Sequence, residues 1–379
     1  MRKLLLFRII LIAIVLSAVA VSAAALFRLN ARYRIKDWPD LVDHKLNPGG
    51  ILRPNINEMV KGAYADKPVR YITNSQGFRN DREFTPQPRP GVLRIMYIGD
   101  SFVIGYRLGQ KDLSAVVMEQ EIRKKLAGSP YRDVEVMVVG AMDPFEGRRY
   151  FNMYGYRFQP HIVVTGICMG NDIAAAGYRQ HHAKSTGKKE AINSFQEVNI
   201  GKDFSGSFGK VVLPEDAYLK RDHYPVPAFA DTFLEPGFYY RPLLPQAETL
   251  LTNFEEVLKG FKDDVEARGA RFVAVMFPVR EQVYHGLWKR QCDFFALNQD
   301  KFDLEYVIDR LSDFFSKNDI AYLDLLPYFI FVAKTESKLL YFPRDIMHWD
   351  EDGNKLAGRA IATYLLTTKQ HVWLRLPRA

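Results

Sequence analysis

From Val92 onward the chain alternates short apolar runs with stretches of helical period, and no other feature constrains its fold as strongly. VLRIMYIG reads as an apolar strand beginning at Val92. DLSAVVMEQEIRKKLAG, Asp112 to Gly128, has the capping Asp, the period and the terminal Gly of a helix, and VEVMVVG, Val134 to Gly140, reads as the next strand. A helix over EGRRYFNMYGYRF and a third strand over HIVVTGICM follow. Further on come a helix from Pro245 to Arg268, the strand RFVAVMF, a helix near Phe302 to Lys317, the strand IAYLDLL and a last helix after Asp352. Strands this apolar, alternating with helices, imply a parallel sheet covered on both faces, an α/β domain. With 379 residues, 47% of them hydrophobic and 25% charged, the chain has material for one large core with additions.

Three segments stand outside the alternation. In residues 1–28, Arg2, Lys3 and Arg8 precede an unbroken apolar run from Ile9 to Phe27, enough at helical rise to cross a hydrocarbon layer of roughly 30 Å. It is expected to be an N-terminal transmembrane helix. Its length exceeds that of a usual signal-peptide apolar region, which favours a retained anchor, while Val21 to Ala23 offers a small-residue cleavage site as the alternative. Arg28, Arg32, Arg34 and Lys36 nearly balance the positive-inside bias, and export of the body follows the usual behaviour of such a segment. Residues 29–90, rich in Pro, Asn, Gly and Arg, with a strand-like piece from Val69 to Phe78, read as a preface packing on the main domain, residues 91–379. About residues 178–244 the helical period is lost among Gly, Pro and aromatic strand fragments such as FGKVVL and GFYYRPLL, as in a lid-like insertion.

The formal charge of +8 comes from Lys and Arg scattered among acids, without a compact basic module, so a nucleic-acid partner is not expected. Anionic lipids or glycans suit a mildly basic surface. Two cysteines, Cys168 and Cys292, give neither a disulfide framework nor a thiolate metal site. They could pair if the body is exported, although Cys168 lies in an apolar strand and reads as a buried thiol. His181 and His182 lack a third ligand at useful spacing, so no metal is expected there. The aromatic residues Phe238 to Tyr240 could line a sugar cleft or pack in the core.

The chemistry collects at strand ends. Ligands of doubly wound sheets bind at the carboxyl ends of the strands, and there Gly99-Asp100-Ser101 interrupts the first strand. Near the C-terminus Asp345 stands three residues before His348, so its carboxylate can hold one imidazole nitrogen while the other serves as base for a Ser hydroxyl. Gly140 ends the second strand, where a backbone N–H can approach a reacting oxygen, and Asn171 follows the third with an amide donor. With the Ser101 N–H they could hold a tetrahedral oxyanion. Asp172 reads as a helix cap.

These blocks, GDS at Gly99 to Ser101, the Gly at 140, GND at Gly170 to Asp172 and D-x-x-H-x-x-x-x-G at Asp345, His348 and Gly353, resemble in order those of the SGNH, or GDSL-type, hydrolase family. Phe102 stands where that family usually has Leu, and Met169 where it usually has Gly. The resemblance implies a three-layer α/β/α flavodoxin-like fold. It implies Ser101 as nucleophile, His348 as base, Asp345 as its partner, and Ser101, Gly140 and Asn171 as the oxyanion hole, with no cofactor. The expected function is a membrane-anchored, extracytoplasmic serine esterase cleaving O-acyl, above all O-acetyl, esters of a glycan through an acyl-enzyme. The alternatives are an O-acetyltransferase on a cell-envelope polysaccharide, a lysophospholipid esterase, and a non-catalytic glycan-binding or assembly protein.

Overall fold

A computed structural model describes residues 16–19, 21–22, 42–43, 51–60, 68–140, 142–185, 235–343, 345 and 347–367. A small antiparallel hairpin, β1 (Asn57–Val60) with β2 (Val69–Ile72), precedes the main sheet. That sheet is formed by β3 (Val92–Ile98), β4 (Asp133–Val139), β5 (Ile162–Cys168), β6 (Arg271–Phe277) and β7 (Ala321–Asp324) in the order β4-β3-β5-β6-β7, each pair parallel. Every residue of β3 and β5 is buried, as expected where helices cover both faces and no side of the strand meets water.

The order is that of a flavodoxin-like sheet, and it decides where the helices go. From β3 the chain steps outward to β4 through α1 (Ser114–Lys124), then returns past β3 to β5 through α2 (Pro144–Met153). Right-handed crossovers in opposite directions place these two helices on opposite faces. α3 (Asp172–Ser185) and α4 (Pro245–Glu266) join α2, and α6 (Tyr306–Lys317) joins them through Arg310, which pairs with Glu248 and Glu255 of α4. The final helix α8 (Glu351–Thr367) returns to pack on α1, where Gly358 lies so close that a Cβ would meet the Ser114 carbonyl at 2.4 Å. The reversal between β3 and β5 makes a crevice at the carboxyl ends of these two strands.

Several expectations shift in detail. α3 runs on to Ser185, so helix continues past Tyr178, where the insertion was expected to begin; residues 186–234, with FGKVVL, lie outside the described residues. GFYYRPLL is not a strand: Pro236–Phe238 form a 3-10 turn, and Phe238, Tyr239 and Tyr240 are buried in the core. Three helices had not been anticipated, the single turn Arg280–Val283, α5 (His285–Phe295) and α7 (Leu326–Thr335). Of the apolar run Ile9 to Phe27, only residues 16–19 and 21–22 are described, as helix with Leu16, Val19 and Val21 exposed. Among the described residues no helix is long and apolar enough to cross a membrane. Cys168 and Cys292 are both buried and free.

Candidate active site

Ser101 stands on a tight turn that the end of β3 makes possible. The Gly99 N–H donates to the Val139 carbonyl (3.1 Å) and its own carbonyl accepts from Met142 N (3.1 Å), so the chain leaves the sheet clamped to the end of β4. Asp100 Oδ1 then accepts from Phe102 N at 2.9 Å, and the Ser101 carbonyl accepts from Tyr106 N at 2.9 Å, closing the turn with the carboxylate inside it. Gly140 abuts this turn: a Cβ there would lie 1.5 Å from Ile104 Cγ2, so any side chain would push the Ser101 turn away.

His348 arrives from the other end of the chain on a short hairpin. Phe342 N donates to the His348 carbonyl (3.0 Å) and Asp350 N to the Leu340 carbonyl (3.1 Å). Between them Trp349 anchors the loop, with its ring centroid 4.7 Å from Phe102, 4.9 Å from Phe277 and 4.9 Å from Phe329. Packing of this density fixes the loop that carries the imidazole.

The two ends meet. His348 Nε2 lies 2.8 Å from Ser101 Oγ, and His348 Nδ1 lies 3.0 Å from each Asp345 oxygen. Asp345 can only accept when ionised, so the Nδ1 proton points to it and Nε2 is left to accept from the hydroxyl. Asp345 Oδ1 also takes the N–H groups of Met347 (2.9 Å) and His348 (3.1 Å), and Oδ2 pairs with Arg107 Nη1 at 3.1 Å. Burial pushes this carboxyl up, but the hydrogen bond and charge of His348 and the two N–H groups outweigh it and hold it down at about 2.

The carboxylates inside the Ser101 turn and after β5 behave differently. Asp100 is buried, its Oδ2 has no partner among the described residues, and burial pushes it up to about 6 despite the Phe102 N–H. Asp172 does not cap α3. Ala175 N donates to the Asn171 carbonyl at 3.1 Å, so Asn171 holds the capping position, while Asp172 turns back to accept from Cys168 N at 2.8 Å. The GND pattern suggests a cap, but the buried Cys168 N–H at the strand end needs an acceptor, and Asp172 reaches it. Burial, then the charges of Asp100 and Asp143, raise Asp172 well above the usual carboxylate range. Further in, Arg179 pairs with Asp143 (2.7 Å) and Glu146 (3.2 Å), and Arg149 with Glu146 (2.9 Å).

Gly140 and Asn171 thus follow the two strands that flank β3, one on each side of Ser101. Among the described residues no hydrogen bond joins either to Ser101, and the Asn171 amide oxygen is buried without a partner. The turn before Asn171 is tied down by Tyr239, whose hydroxyl donates to the Met169 carbonyl at 2.7 Å, and by Glu235 N, 3.3 Å from the Gly170 carbonyl. Tyr239 and its neighbours therefore support the site from the core instead of lining a sugar cleft. Among the described residues no group of three or more His, Cys, Asp or Glu side chains is placed to hold a metal ion.

Arg107 is the site residue that sequence reasoning missed. It lies in the loop after Ser101, and nothing in its local pattern marks it. Only the return of Asp345 from the far end of the chain gives its charge a partner.

No curated protein matches the chain. Solved structures similar to it include an acetyl xylan esterase (13% identity, 72% of this chain and 98% of that chain, TM-score 0.39) and a catalytic mutant of an acetylxylan esterase from Geobacillus stearothermophilus (10%, 75% and 97%, TM-score 0.39). A lipase/acylhydrolase from Enterococcus faecalis is also similar (13%, 72% and 94%, TM-score 0.35). Residues 238–375, a stretch that includes Asp345 and His348 but not Ser101, match the family described as ALGX: SGNH hydrolase-like domain, acetyltransferase AlgX.

Proposed function

We propose that this chain cleaves O-acyl esters, with O-acetyl groups of a cell-envelope glycan as its substrate class, through an acyl-enzyme on Ser101. The observation that carries the reading is the unbroken line of hydrogen bonds from Ser101 Oγ to His348 Nε2 and from His348 Nδ1 to Asp345. A binding module has no need of a nucleophile with an oriented base.

In this reading Nε2 takes the Ser101 proton as Oγ bonds to the ester carbonyl carbon, and Asp345 stabilises the imidazolium that forms. The oxyanion is met by the N–H groups of Ser101 and Gly140 and by the Asn171 amide. Collapse breaks the carbon–oxygen bond to the sugar, whose oxygen leaves with the proton held on Nε2. Water, deprotonated by the same nitrogen, then releases the carboxylic acid and restores Ser101.

The second reading replaces that water by a glycan hydroxyl, which makes the protein an O-acetyltransferase. It is favoured by the acetyltransferase named in the family description that matches residues 238–375. Retention at a membrane through Ile9 to Phe27, with the body outside the cytoplasm, belongs to the same proposal and rests on the apolar run alone.

Aryl acetate hydrolysis by the full-length protein tests the first step. Activity is expected in the wild type and not in Ser101→Ala; equal activity in both would overturn the proposal. Adding a glycan oligosaccharide acceptor separates the two readings, since a transferase moves the acetyl group to the sugar and a hydrolase releases acetate.

A further inference from the structure

The Ser101 turn leads into a loop that touches both the N-terminal hairpin and the acid of the triad. Gly105 has φ +63° and Arg107 φ +70°, two left-handed positions within three residues, and the second is not a glycine. What holds them is Tyr71 of β2, fully buried, whose hydroxyl donates to the Gly105 carbonyl (3.2 Å) and accepts from Arg107 N (3.1 Å). Arg79, also fully buried, stacks on the Tyr71 ring at 3.9 Å and donates to the carbonyls of Ile72 (3.1 Å) and Leu108 (2.9 Å), locking hairpin and loop together. The Arg107 side chain, 4% exposed, then reaches Asp345 Oδ2 at 3.1 Å.

We propose that Arg107, set in place by Tyr71 of the N-terminal hairpin, is a positioning residue that orients Asp345 toward His348 and offsets its charge. This rests on the acyl-enzyme reading for its function, but not for its measurement. The ionisable groups facing the Asp345–His348 pair are Ser101, Asp100, Tyr106 and Arg107 from the turn after β3, and Arg280, which donates to the Asp345 main-chain carbonyl at 2.8 Å and pairs with Glu281. Among the described residues, Arg107 is the only cation paired with the Asp345 carboxylate. A carboxylate that already carries one cation binds a second, the imidazolium, less tightly. Without Arg107 the imidazole should hold its proton to higher pH, and the base should be lost at pH values where the wild type still works.

The test is an NMR titration of ring-labelled His348 in the full-length protein, beside the pH profile of kcat/KM on an aryl acetate. In Arg107→Gln the His348 midpoint and the acid limb of the profile should both move to higher pH. Activity should fall about tenfold at pH 6 and only about twofold at pH 9, with KM little changed. Arg107→Lys should restore most of the loss at pH 6 because it keeps the charge. Tyr71→Phe, which keeps the ring under Arg79, should show a smaller shift in the same direction, about twofold to threefold at pH 6. A His348 midpoint unchanged in a folded Arg107→Gln protein would overturn the proposal, and so would a lowered activity that is the same at every pH. The titration reads the imidazole whether or not the protein turns over ester. An inactive wild type with a shifted midpoint in the variant would therefore sink the hydrolase reading and leave this inference standing.

Discussion

Asp345 and Asp100 flank the same Ser101–His348 pair, both buried, and their chemistry is opposite. Asp345 accepts from an imidazole and two backbone N–H groups, which hold its carboxyl at about 2 against burial, and it also pairs with the Arg107 guanidinium. Asp100 has one backbone N–H on Oδ1 and nothing on Oδ2 among the described residues, faces Asp143 and Asp172 further in, and is pushed up to about 6. Burial alone therefore says little about a carboxyl group; the donors that surround it decide its charge. The two carboxyl groups therefore differ in charge: Asp345 keeps its negative charge beside His348, while Asp100, inside the Ser101 turn, retains its proton toward pH 6.

The largest effect should come from removing the charge on Asp345. Asp345→Asn presents an amide where Nδ1–H needs an acceptor charge, and kcat on an aryl acetate should fall about a thousandfold or more with KM little changed. Steady-state kinetics check it, and a loss under tenfold in a folded protein would break the contrast. Next, Asn171→Ala should lower kcat by about a hundredfold, about 3 kcal/mol, if its amide donates to the oxyanion. Retained activity there, with His348→Ala inactive, would leave the triad in place and reduce the donors to the Ser101 and Gly140 N–H groups.

Asp100→Asn should by contrast keep kcat within about threefold, since an amide imitates the protonated acid and still accepts from Phe102 N. Its signature is in stability. A folded carboxyl at about 6, against an ordinary value of 3.8, gives stability that is present below pH 4 and lost as pH rises toward 6. Urea midpoints of Asp100→Asn should accordingly be flatter across that window, by on the order of 2 kcal/mol, and an unchanged slope would contradict the raised Asp100. Asp345 works the other way: its stability is present above pH 4 and lost as pH falls toward 2.

The smallest effect belongs to Asp324 at the end of edge strand β7, also pushed up to about 6 by burial, against the Leu326 N–H it accepts from at 2.9 Å. Asp324→Asn should stabilise the protein at pH 7 by about 1 kcal/mol, given its partial exposure, and by nothing at pH 4. Thermal melts at the two pH values would detect it.

The parallel sheet was legible because its strands are apolar throughout and its helices amphipathic; RFVAVMF, for instance, coincides with β6 residue for residue. α7, LPYFIFVAKT, was not, because a short run this uniformly apolar has no helical period to read, and its Tyr328 and Phe331 stand exposed where a pattern would place polar residues. That Ser101, His348 and Asp345 lie together could be anticipated, since each sits in a local motif at a strand end or loop. Arg107 could not, because its partner is remote in sequence and its own left-handed turn carries no signature residue. Asp172 was misread for a related reason: a Gly-Asn-Asp sequence looks alike whether the carboxylate caps the helix ahead or turns back to the strand behind.

If His348 makes Ser101 a nucleophile, Ser101 should react covalently with a serine-directed probe. The full-length protein, treated with a fluorophosphonate and digested, should carry the adduct on the peptide containing Ser101, and His348→Ala should label at least a hundredfold more slowly. Labelling that persists in Ser101→Ala, or a folded wild type that takes no label at all, would contradict the account.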